Sequence, residues 1–271
     1  MTALMSRVHK LRDGSARVSP GAAQEDRGHG AFGYVHSFET ASDVDGPGQR
    51  FVLFVSGCPL RCSYCHNPDS WRLKNGQFMS ARQVIARVSG FASALNALDG
   101  GLTISGGEPL VQIPFTRQIL SAAKTMRLHT AIQTSGYLGD RADDSYLEKV
   151  DLVILDIKSS NPVLYRNLTG CALAPTLRFA ERLAAMSKPV WVRFTLVPGA
   201  TDDVANVDGV AKFVAPMKNV ARVEVQPFHQ LGAFKWRALG LAYPHADTPA
   251  PAARLMHRVV GQFHAAGCAA R

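Results

Sequence analysis

At 271 residues and 46% hydrophobic content, the chain can bury a large core, as one α/β domain or two small ones. Its longest apolar runs are strand-sized, which excludes a membrane-spanning helix, and its N-terminus lacks the apolar stretch of a secretory signal. The formal charge of +9 is spread without a Lys/Arg block or interleaved aromatics, which gives no support to nucleic-acid binding and suits steering of an acidic protein partner.

Residues 1–30 are rich in Gly, Ser, Arg and Ala, lack apolar periodicity, and read as a mobile N-terminal extension. From Phe32 onward strand-like runs alternate with helical patterns. Strands are expected near 32–38, 51–56, 101–105, 129–134, 150–157, 190–197 and 221–228. Ser80 and Gln83 form a capping box, and Val84, Val88, Phe91, Leu95 and Leu98 continue that helix. Phe115, Ile119 and Met126 mark a second helix. Pro175 suits a first helical turn, with Phe179, Leu183 and Met186 as its buried stripe. Val204, Val207, Val210 and Val214 mark another, and Leu255, Val259 and Phe263 a last one ending near Gly267. Repeating β–α units imply a parallel sheet. Six or seven strands suit a barrel, closed or open on one side, with a doubly wound sheet as the alternative. In parallel barrels the chemistry gathers at the C-terminal ends of the strands.

Several motifs fall at such ends. Cys58, Cys62 and Cys65 directly follow the apolar run 51–55. Three clustered thiolates are one short of the four that usually close an iron–sulfur cluster, which leaves a position open for chemistry. Structural zinc with His66 as fourth ligand is the alternative, but adjacent Cys65 and His66 would face one ion poorly and no second C-x2-C occurs. Five cysteines, an odd number, do not suit a disulfide framework; Cys171 and Cys268 lack metal spacing. Ser105-Gly106-Gly107-Glu108 ends the next parallel strand. Paired glycines let a ligand approach the backbone, and exposed N–H groups beside a carboxylate suit a zwitterion; an ordinary turn is the alternative. Asp156 and Lys158 share one strand face, as an ion pair or as a lysine awaiting a carboxylate. Arg193 interrupts an apolar strand, which is costly unless it is paired or faces a polar cavity. The run Arg222 to Gln226 alternates and ends near His229. Asp45-Gly46-Pro47-Gly48 is a rigid turn before the Cys strand.

Assembled, these segments resemble the radical S-adenosylmethionine (SAM) superfamily, and within it the pyruvate formate-lyase-activating enzyme family. The similarity runs from about Gly33 to the C-terminus. It rests on Val44 to Gly48, the Cys motif with Tyr64 and His66, Ser105 to Glu108, Leu155 to Lys158, Val197-Pro198-Gly199 and Gln226 to His229. The resemblance implies a partial (β/α)6 TIM-like barrel, with residues 31–271 as one radical SAM domain. Cys58, Cys62 and Cys65 would hold one [4Fe–4S] cluster, with SAM on its open iron. Gly106, Gly107 and Glu108 match the motif receiving the SAM amino group. Asp156, Lys158, Arg193 and His229 match other SAM positions, and Tyr64 an aromatic residue beside SAM. Asp45, Gly46, Pro47 and Gly48 match the lip that meets the substrate's glycine loop. Gln133-Thr134-Ser135-Gly136 stands where the family has Asp-Thr-Asn-Gly, so the monovalent cation associated with that aspartate would meet an amide oxygen here. The implied activity is activation of a glycyl radical enzyme resembling pyruvate formate-lyase, with flavodoxin or ferredoxin as electron donor, by a cytoplasmic monomer. A radical SAM enzyme acting on a small molecule or another peptide is the nearer rival, and a non-catalytic zinc or iron–sulfur module the more distant one.

Overall fold

The computed structural model describes residues 30–271; apart from Gly30, the extension expected over residues 1–30 lies outside the described residues. Eight strands form one sheet: β1 (Phe32–Ser42), β2 (Arg50–Val55), β3 (Gln77–Ser80), β4 (Gly101–Gly106), β5 (His129–Thr134), β6 (Leu152–Asp156), β7 (Val190–Leu196) and β8 (Val220–Pro227). Their spatial order is β3-β1-β2-β4-β5-β6-β7-β8. From β2 to β8 neighbouring strands run parallel, which gives the six parallel strands of a partial (β/α)6 barrel. Among the described residues the sheet does not close, because β3 and β8 stand at its two ends.

Two sequence expectations are corrected. The strand foreseen near 32–38 is not one of the parallel set: β1 pairs antiparallel with both β2 and β3. The stripe from Val84 to Leu98 is carried by two helices, α1 (Ala81–Ser89) and α2 (Ala92–Ala97). Gly90, a weak helix former, and Phe91 separate them, and Phe91 and Leu98 are exposed. The capping box is present: the Gln83 backbone N–H donates to Ser80 Oγ at 3.2 Å, and the Ser80 N–H donates to Gln83 Oε1 at 2.8 Å. Ser80→Ala is expected to cost about 1 kcal/mol, seen as a drop of a few degrees in Tm; an unchanged melt would mean that the cap contributes nothing.

The remaining helices are α3 (Ile113–Thr125), α4 (Asp144–Leu147), α5 (Pro162–Thr169), α6 (Ala174–Ala185), α7 (Val204–Val214), α8 (Ala233–Ala238) and α9 (Ala253–Ala265). Most of the stripes expected on α3, α6, α7 and α9 enter the main core, among them Phe115, Ile119, Phe179, Leu183, Val207, Val210 and Phe263; Met186, just past the end of α6, and Val204, at the start of α7, are exposed instead. Each large side chain so buried contributes about 1.5–3 kcal/mol. That core takes alternate residues of the strands, such as Val153 and Leu155 of β6. The opposite sheet face starts apolar, with Ala131, Ile154 and Trp191 in one small cluster. With a period of two, the next residues on that face are Gln133, Asp156 and Arg193. The inner face therefore turns polar toward the C-terminal ends of the strands.

Candidate active site

At those ends lies a cavity of about 310 Å³, lined by all three clustered cysteines. The Cys loop leaves β2 through Gly57 at φ +91°, and backbone bonds hold it on both flanks. The Cys58 N–H donates to Trp71 O at 3.0 Å, Arg61 N–H to Thr169 O at 2.7 Å, Ser63 N–H to Leu168 O at 2.8 Å and Cys65 N–H to Cys62 O at 3.1 Å. Burial pushes the thiols of Cys58 and Cys65 up, and that of Cys62 to about 12 even though the Lys158 ammonium pulls it down. A buried thiol ionises when a cationic centre takes it as a ligand. Among the described residues no three or more His, Cys, Asp or Glu groups converge as one metal ion requires. Three thiols in one pocket are one short of the four that usually close an iron–sulfur cluster, which leaves a position open for another ligand.

Parallel register sets the glycine motif beside this loop: Phe54 lies opposite Ser105, and Val55 opposite Gly106. Gly106 and Gly107 line the cavity, and the close approach of the Cys strand requires their lack of a side chain. A Cβ on Gly106 would stand 2.4 Å from Val55 N, and one on Gly107 2.4 Å from Gly57 O. The expected exposed N–H groups are also engaged, since Gly107 N–H donates to Val55 O at 2.7 Å and Glu108 N–H to Gly57 O at 2.8 Å. Glu108 sits behind the wall. It is 1% exposed, and its carboxylate accepts from Thr134 Oγ1 at 2.7 Å and from the Ser135 N–H and Oγ at 3.0 and 2.7 Å. Burial pushes its pKa up, against these donors.

The facing wall comes from β6, β7 and β8, where Asp156 pairs in register with Arg193, and Arg193 with Glu224. Lys158 lies past the end of β6, and its Nζ meets Asp156 Oδ2 at 2.7 Å. Burial disfavours its charge, but Asp156, Cys62 and Tyr64 together outweigh that and hold its pKa well above the ordinary value. Arg193 is both paired and pocket-lining. It donates to Glu224 Oε2 at 3.0 Å, Asp45 Oδ1 at 3.2 Å, Gln133 Oε1 at 3.1 Å and the carbonyl of Val44. Gln133 Oε1 also accepts from Ser105 Oγ at 3.0 Å, so this amide oxygen is already turned toward donors.

Asp45 thereby ties the Gly46-Pro47-Gly48 lip to the barrel interior. A second buried guanidinium supports the lip from below. Arg50 is 0% exposed and donates to Thr103 Oγ1, Pro47 O and Leu102 O at 3.0, 3.2 and 2.6 Å. Gly48, at φ +64°, passes so close to Asp99 that a Cβ would lie 2.1 Å from its carbonyl oxygen.

Of the residues singled out from sequence, Asp45, Cys58, Cys62, Tyr64, Cys65, Gly106, Gly107, Asp156, Lys158, Arg193 and His229 all line this one cavity. Glu108 does not, and Gly46 to Gly48 form the turn beyond Asp45. His66 stacks on His229 with centroids 4.0 Å apart, and burial, helped by His229, lowers its pKa to about 4. Three buried polar atoms of lining residues, Tyr64 Oη, His66 Nε2 and Asp156 Oδ1, have no hydrogen-bond partner among the described residues. A polar ligand would satisfy them. Sequence reading named Ser105 and Gln226 only as parts of longer motifs and missed Thr195 as a lining residue, and Arg50 as the lip's support. Strand-end position was the available signal for the first three. A wider depression of about 460 Å³ near Ser187 and Asn219 lies before β7 and β8, at the stabilising end of such a barrel.

An open parallel barrel with three cysteines after its first parallel strand has the fold of radical SAM enzymes. A radical SAM methyltransferase from Sphaerobacter thermophilus aligns with a TM-score of 0.56 at 18% identity, over 82% of this chain and 65% of that one. Residues 44–162, which hold the Cys loop and the glycine motif, match the family model described as a 4Fe-4S single cluster domain. The chain is 39% identical over 227 residues to the pyruvate formate-lyase-activating enzyme of Listeria monocytogenes, covering 81% of this chain and 91% of that protein. It is equally identical over 232 residues to the pyruvate formate-lyase 1-activating enzyme of Escherichia coli, covering 85% and 94%. The chain belongs to the pyruvate formate-lyase-activating enzyme family.

Proposed function

We propose that residues 31–271 act as one radical SAM domain that activates a glycyl radical enzyme of the pyruvate formate-lyase type. Cys58, Cys62 and Cys65 hold the [4Fe–4S] cluster and leave one position for SAM. When bound, cluster and SAM together would supply one-electron reductive cleavage of SAM and, from it, the hydrogen-abstracting power needed at a glycine. The observation that carries this reading is that the three thiols share one cavity with the Asp156–Lys158 pair and three unpartnered buried polar atoms.

Lys158, charged and 7% exposed, orients the SAM carboxylate by charge-assisted hydrogen bonding. The acceptor side of the Gly106-Gly107 turn receives the amino group, because the N–H groups of Gly107 and Glu108 are already engaged. Glu108 positions that turn through Thr134 and Ser135 and does not touch SAM. His66 and His229 present neutral faces, and Tyr64 presents its ring and hydroxyl. The Asp45-Gly46-Pro47-Gly48 lip receives the glycine-bearing segment. With Gln133 Oε1 engaged by Ser105 and Arg193, this reading places no monovalent cation there. A cytoplasmic location, a monomeric state and a flavodoxin or ferredoxin donor complete the reading.

Anaerobically reconstituted, reduced protein is expected to give a spin-half cluster signal that shifts on addition of SAM. Incubation with pyruvate formate-lyase should then raise a glycyl-radical doublet. A cluster that cleaves SAM but leaves every glycyl radical enzyme silent would overturn the activase assignment. Zinc without iron after anaerobic preparation would overturn the radical chemistry itself.

A further inference from the structure

Reductive chemistry at the cluster needs one electron from outside the chain, and the outer side of the Cys loop is built to receive its carrier. Arg61 is exposed but not loose: its Nη1 donates to Cys58 O at 2.7 Å and Leu60 O at 2.8 Å. Its guanidinium carbon lies 5.1 Å from the centre of the Trp71 ring. Trp71 is half-buried and also lines the cavity that holds the thiols. Its backbone oxygen accepts from Cys58 N–H at 3.0 Å. One tryptophan thus connects an exposed, fixed cation with the ligand loop.

Around it the surface is cationic. Arg72 and Lys74 follow Trp71 and are exposed, as is Arg166 on α5. The Arg61 N–H donation to Thr169 O brings the end of α5 against the Cys loop, and Arg61 and Arg166 both act on the Cys171 thiol. Among the described residues none of Arg61, Arg72, Lys74 and Arg166 is in an ion pair. The nearby carboxylate of Asp69 is already engaged by His36 and Lys235. Leu73, 36% exposed, adds apolar surface between Arg72 and Lys74. An aromatic and apolar centre with an arginine-rich rim is the anatomy of a protein interface. Electron-transfer contacts are small, transient and steered by charge.

We propose that the Arg61–Trp71 face, with Arg72, Lys74 and Arg166, is the docking surface for an acidic one-electron carrier protein that reduces the cluster across the Cys loop. The proposal rests on the radical SAM reading above. One electron leaves the carrier, which is oxidised, and the cluster is reduced by it.

The test is a triple charge reversal, Arg72→Glu with Lys74→Glu and Arg166→Glu, at exposed sites outside the cavity where substitutions leave stability within about 0.5 kcal/mol. Two readouts apply: the Kd for oxidised flavodoxin by titration calorimetry, and SAM cleavage driven by reduced flavodoxin or by dithionite. At equal iron content, the flavodoxin Kd and KM should rise about tenfold or more, and the steep loss of rate with added salt should flatten. The dithionite-driven rate should stay within about twofold of the parent rate, because that small reductant needs no protein interface. Unchanged flavodoxin Kd and KM would overturn the docking surface, as would equal losses with both reductants. Failure of the parent protein to cleave SAM with dithionite would sink the radical reading instead, whatever the binding data.

Discussion

Cys62→Ala is expected to leave a folded protein that binds too little iron to sustain SAM cleavage. The loop around Cys62 is held by main-chain donations from Arg61 and Ser63 to Thr169 and Leu168, none of which involves the thiol. Removing one buried sulfur should therefore cost about 1 kcal/mol or less in folding, the scale of a small core truncation. The functional loss should exceed the roughly 10–100-fold that removal of a mere outer-shell partner causes at a metal site. Cys171→Ala is the control. Its sulfur lies 3.7 Å from Pro59 O, outside the cavity lining, and its iron content and turnover should match the parent protein. Iron and sulfide assays with 5′-deoxyadenosine release decide the matter; a Cys62→Ala protein with full turnover would refute the ligand assignment.

The second large effect concerns Arg193. Met in its place would leave Glu224, 2% exposed, and Asp45, 8% exposed, without their shared cation. Breaking a buried pair from one side costs about 3–5 kcal/mol, a fall in Tm on the order of 10 °C for a chain of this size. Glu224 keeps Arg271 and Arg222, whereas Asp45 keeps only the Ser42 hydroxyl, so replacing Asp45 with Asn in the same protein should recover part of that loss by removing the uncompensated carboxylate. Arg193→Met should also loosen the Asp45 lip, so binding of a glycine-bearing peptide should weaken more than SAM binding does. A Tm within about 2 °C of the parent would show that the guanidinium does not hold this network.

The parallel strands were readable because strands buried on both faces are nearly continuous apolar runs, as in Phe51 to Val55 and Leu152 to Leu155. Their order then placed the cysteines, the glycine pair, Asp156 and His229 at one end. Other elements lacked that signal. The edge strand β3, Gln77 to Ser80, is short and mixed, and is ordered by its antiparallel pairing with Phe32 to Val35. Helix α5 carried readable punctuation, with Asn161 capping it, Pro162 in its first turn and left-handed Gly170 after it, but its short apolar stripe was overlooked. The roles of Arg50 and Glu224 were not legible. An arginine at the start of a strand and a glutamate in an alternating one look like surface residues, and only the folded sheet brings carbonyls and a partner cation to them. Glu108 is a related case: a carboxylate after two glycines suggests a ligand contact, and only the folded sheet brings Thr134 and Ser135 to donate to it.

The two ends of the sheet, β3 and β8, are not hydrogen-bonded to each other among the described residues. The strand ends therefore trace a horseshoe in place of a ring. A ring admits only what can thread its hole, so the width of the hole would limit the substrate. A horseshoe leaves a gap in the hydrogen-bonded wall, and at the cavity end α8 reaches across it: Lys235 donates to Asp69 and the Trp236 indole to the Cys65 carbonyl. The wall of the cavity of about 310 Å³ is thus completed there by side-chain contacts that can part without breaking a strand ladder.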